Sequence, residues 1–259
     1  MFYTFQQFIR HWWLAKDEHS IHSPFVFDFY TKIVQSQKWF YIFDEIEDLR
    51  NQLLQNNNKL ELIDFGAGSQ HSKSNIKTIS QIAQYSISSP KVSRFLFRLI
   101  DELKPKIIFE LGTCLGINTI YMASAFHQSK ITTFEGSPSL CTIARQNFSK
   151  FPIPTINLVE GNINETLKNQ LSQHQNIDLV FFDANHRYKP TIKYFNECLE
   201  KVHEDSIFIF DDIYWSKEMT KAWKEIQNHP SVRITIDLFQ IGLVFFRKKQ
   251  AKEHFYLKF

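Results

Sequence analysis

The stretch Ile107-Ile108-Phe109-Glu110-Leu111-Gly112-Thr113-Cys114-Leu115-Gly116 decides how this chain folds. Its first five residues are the β-branched, aromatic and aliphatic types that suit a buried strand, and two glycines then allow a tight turn into a helix. Working outward, Ile131-Thr132-Thr133-Phe134-Glu135 reads as a second strand that ends in an acid 19 residues after Gly116. Strands are expected at 106–111, 130–135, 155–160, 177–183 and 205–211, with helix-length segments between them. That alternation predicts an α/β fold, a doubly wound, mostly parallel sheet with right-handed crossovers. Val232 to Leu238 and Leu243 to Arg247, joined by Phe239-Gln240-Ile241-Gly242, predict a C-terminal hairpin and one antiparallel strand. Upstream, Ser88-Ser89-Pro90 opens a helix that should stop before Pro105.

Two domains are expected: a helical, aromatic-rich N-terminal extension over 1–58 and the α/β domain over 59–259. Phe2, Phe5, Phe8, Ile9 and Trp12 recur at spacings of three and four and share one helix face. This stripe is expected to pack on the body of the protein; the alternatives are a cap over a substrate, a contact in a homodimer, or a membrane-surface helix. A short strand, Leu60 to Ile63, leads into Asp64-Phe65-Gly66-Ala67-Gly68-Ser69, a glycine-rich loop that no strand ending in an acid follows. It is expected to be a substrate-side or structural loop.

In sheets of this kind ligands gather at the carboxyl ends of the strands. GxGxxG is absent, because Gly112 and Gly116 are three residues apart with Cys114 between them, so the turn leans away from a dinucleotide pyrophosphate. Glu135 stands where a carboxylate accepts both ribose hydroxyls. Glu110 suits a cationic ligand with an amino-acid end, which a carboxylate reaches directly or through water. Taken singly, a strand-end acid or a tight turn would explain each piece. Their order gives them weight.

The ordered series ELGTCLG (110–116), FEG (134–136), VEGN (159–162), DLVFFDANH (178–186) and IFIFDDIYW (207–215) resembles the class I S-adenosylmethionine-dependent methyltransferases, in particular the catechol and caffeoyl-CoA type O-methyltransferases, over about residues 86–247. The resemblance implies a Rossmann-like fold and S-adenosylmethionine as cofactor. It implies that Glu110, Gly112, Thr113, Cys114 and Gly116 line the methionine part, that Glu135 and Gly136 meet the ribose, and that Asn162 and Ile163 meet the adenine edge, with Asp183 also at the cofactor. Cation-dependent relatives carry a DADK-like motif after the fourth strand and DN after the fifth. Here Asp183-Ala184-Asn185-His186 and Asp211-Asp212 stand in those places. Asp183, Asp211 and Asp212 are therefore candidate ligands of Mg²⁺ or another divalent cation. Equally, His186 is a candidate general base, and Asp183, His186 and Asp211 are the catalytic candidates. The plain alternatives are that Asp212 caps the helix starting near Ser216 and that His186 is a surface hydrogen bonder.

Bulk composition narrows the setting. Lys and Arg number 30 against 27 Asp and Glu, a net charge of +3 that gives no argument for nucleic acid. Small molecules are the expected partners. The three cysteines lack metal-ligand or disulfide spacing, which fits a reducing cytoplasm. No apolar run reaches the roughly twenty residues that span a bilayer, and residues 1–20 lack the pattern of a cleaved leader, so a soluble, unprocessed chain is expected. Two other functions stand beside methyl transfer: a nucleotide-dependent oxidoreductase, and a methyltransferase-like binding or regulatory module without turnover. The acceptor is not legible, since residues 1–90 and 248–259 carry no recognisable chemistry.

Overall fold

A computed structural model describes residues 2–63, 76–154 and 156–259, so the Asp64–Ser69 loop lies outside the described residues. The chain forms two compact units, one of Ser36–Thr166 and one of Met1–Gln35 with Leu167–Phe259. It begins with α1 (Phe2–Leu14), α2 (Pro24–Phe29) and α3 (Tyr41–Gln55), then a small antiparallel pair, β1 (Lys59–Glu61) and β2 (Ile76–Thr78). Thr78 caps α4 (Ile79–Tyr85) reciprocally with Gln81. Ser89 caps α5 (Pro90–Leu103), with Pro90 in its first turn and Lys104 closing it in a left-handed conformation. The expected end before Pro105 is where this helix stops.

From there strands and helices alternate: β3 (Ile107–Leu111), α6 (Ile117–Ala125), β4 (Lys130–Glu135), α7 (Pro138–Phe148), β5 (Asn157–Glu160) and α8 (Ile163–Ser172). In the Ser36–Thr166 unit β3, β4 and β5 pair in parallel, with Glu110 opposite Thr133 and Glu135 opposite Glu160. Its core gathers Phe43, Ile46, Leu49, Phe97, Ile120 and Tyr121, with the Phe43 and Phe97 rings edge to face at 4.9 Å.

The other unit continues with β6 (Leu179–Phe182), α9 (Tyr188–Leu199), β7 (Ile207–Asp211), α10 (Lys217–Asn228), β8 (Ile234–Asp237), β9 (Ile241–Phe245) and β10 (Glu253–Tyr256). β6 and β7 are parallel, β9 runs antiparallel between β7 and β8, and β10 adds in parallel to β8. The C-terminal hairpin is thus present, and β9 starts at Ile241, two residues before the expected position. The class is α/β and Rossmann-like, mostly parallel, with this hairpin antiparallel.

Helix α1 departs from expectation. Phe2, Phe5, Phe8, Ile9 and Trp12 are exposed, and the side turned inward is polar: Thr4 and Gln7 are half-buried and His11 is buried. Asp237 is the physical reason. Its fully buried carboxylate accepts from the Tyr214 hydroxyl (2.6 Å), the Trp223 indole (3.0 Å) and the Phe239 amide (3.0 Å), and His11 Nε2 lies 3.2 Å from Oδ1. A carboxylate so far from water requires such donors. The polar side of α1 meets the same residue through His11, whose Nε2 bonds the Asp237 main-chain carbonyl at 3.0 Å, and this leaves the apolar side facing outward.

The hairpin has one close approach. A Cβ at Gly242 would stand 2.6 Å from the indole ring of the buried Trp223. Gly242→Ala is therefore expected to cost about 1–3 kcal/mol through overpacking. A lower urea midpoint with an unchanged slope checks this, and an unchanged midpoint would mean that the ring yields freely.

Candidate active site

In the Ser36–Thr166 unit the site starts from Glu110, fully buried in β3. Its Oε2 accepts from the hydroxyls of Thr119 (2.5 Å) and Thr133 (2.6 Å), and the Thr113 and Thr133 hydroxyls meet at 2.6 Å. Its Oε1 has no hydrogen-bond partner among the described residues. Burial pushes the carboxyl up to about 7, the two threonine hydroxyls oppose this, and the Glu135 charge adds to it.

The turn after β3 is left-handed at Gly112 (φ 107°), Cys114 (φ 50°) and Gly116 (φ 82°). Gly116 is fixed twice over, because a Cβ there would also stand 2.5 Å from the Phe148 ring. The amides of Gly112 and Thr113 both donate to the Phe134 carbonyl, at 3.1 and 3.0 Å. At the end of β4, Glu135 Oε2 accepts from the Cys114 amide and Oε1 from the Ser137 amide, each at 2.9 Å. The Gly161 amide donates to the Glu135 carbonyl (2.9 Å), and the Asn162 side chain accepts from the Asn164 amide (3.0 Å), opening α8 at Ile163. Glu110, Gly112, Thr113, Cys114, Gly116, Glu135, Gly136, Asn162 and Ile163 thus stand together at the carboxyl ends of β3, β4 and β5.

Sequence reasoning missed Thr119 and Thr133. The signal for Thr133 was available: it is the strand partner of Glu110. It also missed the buried Asn118, which donates to Ser88 Oγ (2.8 Å) and accepts from Ser93 Oγ (2.7 Å) at the start of α6.

Asp183, His186, Asp211 and Asp212 belong to the other unit, after β6 and β7. His186 Nε2 lies 3.6 Å from Asp183 Oδ1. Burial pushes the His186 imidazole below its ordinary range, against the pull of the Asp212 carboxylate, and burial pushes Asp212 up, against His186. Asp211 is buried, and its Oδ1 accepts from the Asp212 amide at 3.0 Å. Ser216, not Asp212, caps α10, through its hydroxyl to the Met219 amide (3.0 Å). The His186 side chain is partly buried, 22% exposed.

Asp183, Asp211 and Asp212 do not form the expected ligand set: no group of three or more His, Cys, Asp or Glu among the described residues is placed to hold a metal ion. Backbone strain marks the same strand ends. Cys114, Asn185, Asp212 and Phe239 follow β3, β6, β7 and β8, and each non-glycine residue is left-handed at a cost of about 1–3 kcal/mol.

Burying Glu110 also sets a pH dependence. Its folded value is raised, so its ionisation penalises the folded chain above pH 7, and the penalty fades as pH falls from 7 to 4.5. Raising a carboxyl from 4.5 to about 7 corresponds to about 3 kcal/mol. Glu110→Gln is expected to stabilise the ligand-free protein by up to about that amount at pH 8 and by nothing near pH 4. Denaturant unfolding at both values checks this; equal effects would show that Glu110 is not a buried charge.

The Methyltransferase domain family model matches residues 109–213. A catechol O-methyltransferase from Niastella koreensis is 26% identical over 128 residues, covering 48% of this chain and 57% of that protein. A transmembrane O-methyltransferase homolog from Mus musculus is 29% identical over 104 residues, 38% of this chain and 40% of that one. The chain thus spans about half the length of the curated relatives it matches. Among solved structures, an O-methyltransferase from Bacillus cereus in complex with S-adenosylhomocysteine has a TM-score of 0.55 at 16% identity, covering 84% of this chain and 96% of that one. A Podospora anserina methyltransferase bound to the same compound has a TM-score of 0.56 at 16% identity, covering 82% and 99%. These two share the fold. The glycine turn, the strand-end acid and the acidic strand ends all lie inside residues 109–213, the span that matches the Methyltransferase domain model, and the chain shares the Rossmann-like fold of these structures.

Proposed function

We propose that this chain transfers a methyl group from S-adenosylmethionine to a hydroxyl oxygen of a small organic acceptor. The observation that carries this is Glu110, kept buried beside a glycine turn that is itself bonded to Glu135. A fully buried carboxylate with one oxygen unmatched is costly, and a cationic amino-acid end near the turn would offset that cost. Glu135 would accept from the ribose, Gly112 to Gly116 would admit the methionine part, and Asn162 and Ile163 would border the adenine.

S-adenosylmethionine supplies a methyl already activated on a sulfonium. What the chain has to supply is alignment and a place for the hydroxyl proton. His186 suits the proton, because burial keeps its imidazole neutral and Asp183 at 3.6 Å would steady the imidazolium formed on taking it up. The carboxylates do not fit a divalent cation, so no step is routed through one. The chemistry is assigned to residues 59–259, with 1–58 as a helical extension. Three free cysteines suit a reducing cytoplasm, with no role for nucleic acid.

Calorimetric titration with S-adenosylhomocysteine, once with Mg²⁺ and once with chelator, tests the cofactor half. Binding is expected in both, and no binding in either would sink the proposal. Glu135→Ala should weaken that binding by about 1–3 kcal/mol, the scale of lost hydrogen bonds to a charged group. In turnover assays over a panel of catechols and other hydroxyl compounds, His186→Ala should lower kcat by about 10²–10⁴ with cofactor affinity kept. Because the His186 value is lowered, the rate should fall on acidification only below pH 6.5. Cofactor binding without turnover on any acceptor would point instead to a binding module.

A further inference from the structure

Helix α1 carries its apolar and polar sides the wrong way round for a helix that closes a core. Phe2, Phe5, Ile9, Trp12 and Trp13 are all exposed, Phe2 to 76%, Trp12 to 65% and Trp13 to 77%, while Thr4, Gln7 and His11 face inward. Contiguous exposed aromatics of this extent mark an interaction surface. The helix is not loosely attached. His11 is held at Asp237, the Lys16 amide donates to the Tyr256 carbonyl (2.8 Å), and the Lys258 amide donates to the Lys16 carbonyl (3.1 Å). The aromatic side is therefore presented on a fixed support.

Charge indicates what covers it. No acid occurs in residues 2–16, whereas Arg10 and Lys16 are exposed cations at the border of the aromatic face. Lys258, brought beside Lys16, adds a third, and Asp17, the first acid after the helix, lies 3.3 Å from the Lys258 ammonium. Tryptophan and phenylalanine on one side with flanking cations match the headgroup region of an anionic bilayer. No helix among the described residues is long and apolar enough to cross a membrane, so the contact has to be parallel to the surface. We infer that α1 docks the protein on anionic phospholipid surfaces, with Trp12, Trp13, Phe2 and Phe5 entering the interface and Arg10 and Lys16 meeting the headgroups. The inference does not depend on the methyltransferase reaction.

Co-sedimentation of the full chain with vesicles of phosphatidylcholine alone, and of phosphatidylcholine with phosphatidylglycerol, tests it. Binding to the anionic vesicles is expected, weakening with salt and accompanied by a blue shift of tryptophan emission. Trp12→Ser with Trp13→Ser should reduce binding at least tenfold with an unchanged circular dichroism spectrum and melting temperature, since both side chains are exposed. Arg10→Glu should reduce it while keeping both tryptophans. Absence of binding to anionic vesicles, equal binding to both kinds, or no effect of the double substitution overturns the proposal. So does a dimer in analytical ultracentrifugation that the same double substitution dissociates, because a second copy would then be the occupant.

Discussion

The carboxylate of Glu135 holds the turns at the carboxyl ends of β3, β4 and β5 together. Two amides, those of Cys114 and Ser137, converge on it from the turn after β3 and the start of α7, and its own carbonyl takes the Gly161 amide from the turn after β5. Three successive strand ends are thereby tied to one residue. Bonds to a charged acceptor are stronger than neutral ones, so the turn is held in shape before any ligand arrives. Such preorganisation lowers the ordering cost of binding.

Most of the α/β frame was legible because its signals are local. The run Ile107–Leu111 is apolar on both faces but for Glu110, as suits a buried parallel strand, and Ser89-Pro90 and Lys104-Pro105 punctuate α5 at both ends. The glycine turn and the acid after it were legible for the same reason: each sits at a fixed offset from a strand. Thr119 and Thr133 were not, because their importance lies in reaching one carboxylate from two different elements. Whether Asp183, Asp211 and Asp212 group as ligands is a matter of three-dimensional placement, which one-dimensional spacing does not encode, and no such group of three is present among the described residues. Asp212 is also left-handed (φ 54°), a backbone state that its position after β7 does not announce.

Helix α1 shows the limit of periodicity more sharply. Spacings of three and four identify a face, and they do not say which way it points. Here the polar side carries His11 to Asp237, more than two hundred residues away, a contact that no spacing within the helix encodes.

The pairing of Lys16 with Leu257 beside β10 joins the two extremities of the sequence. Closing a loop of that length carries more chain entropy than closing any hairpin in the molecule, and it is repaid only once β8 and β9 are in place. The seam between α1 and the last strand is therefore a late event in folding. The aromatic helix is thereby anchored at both ends of one stretch of chain, through His11 at Asp237 and through Lys16, whose amide and carbonyl bond to Tyr256 and Lys258.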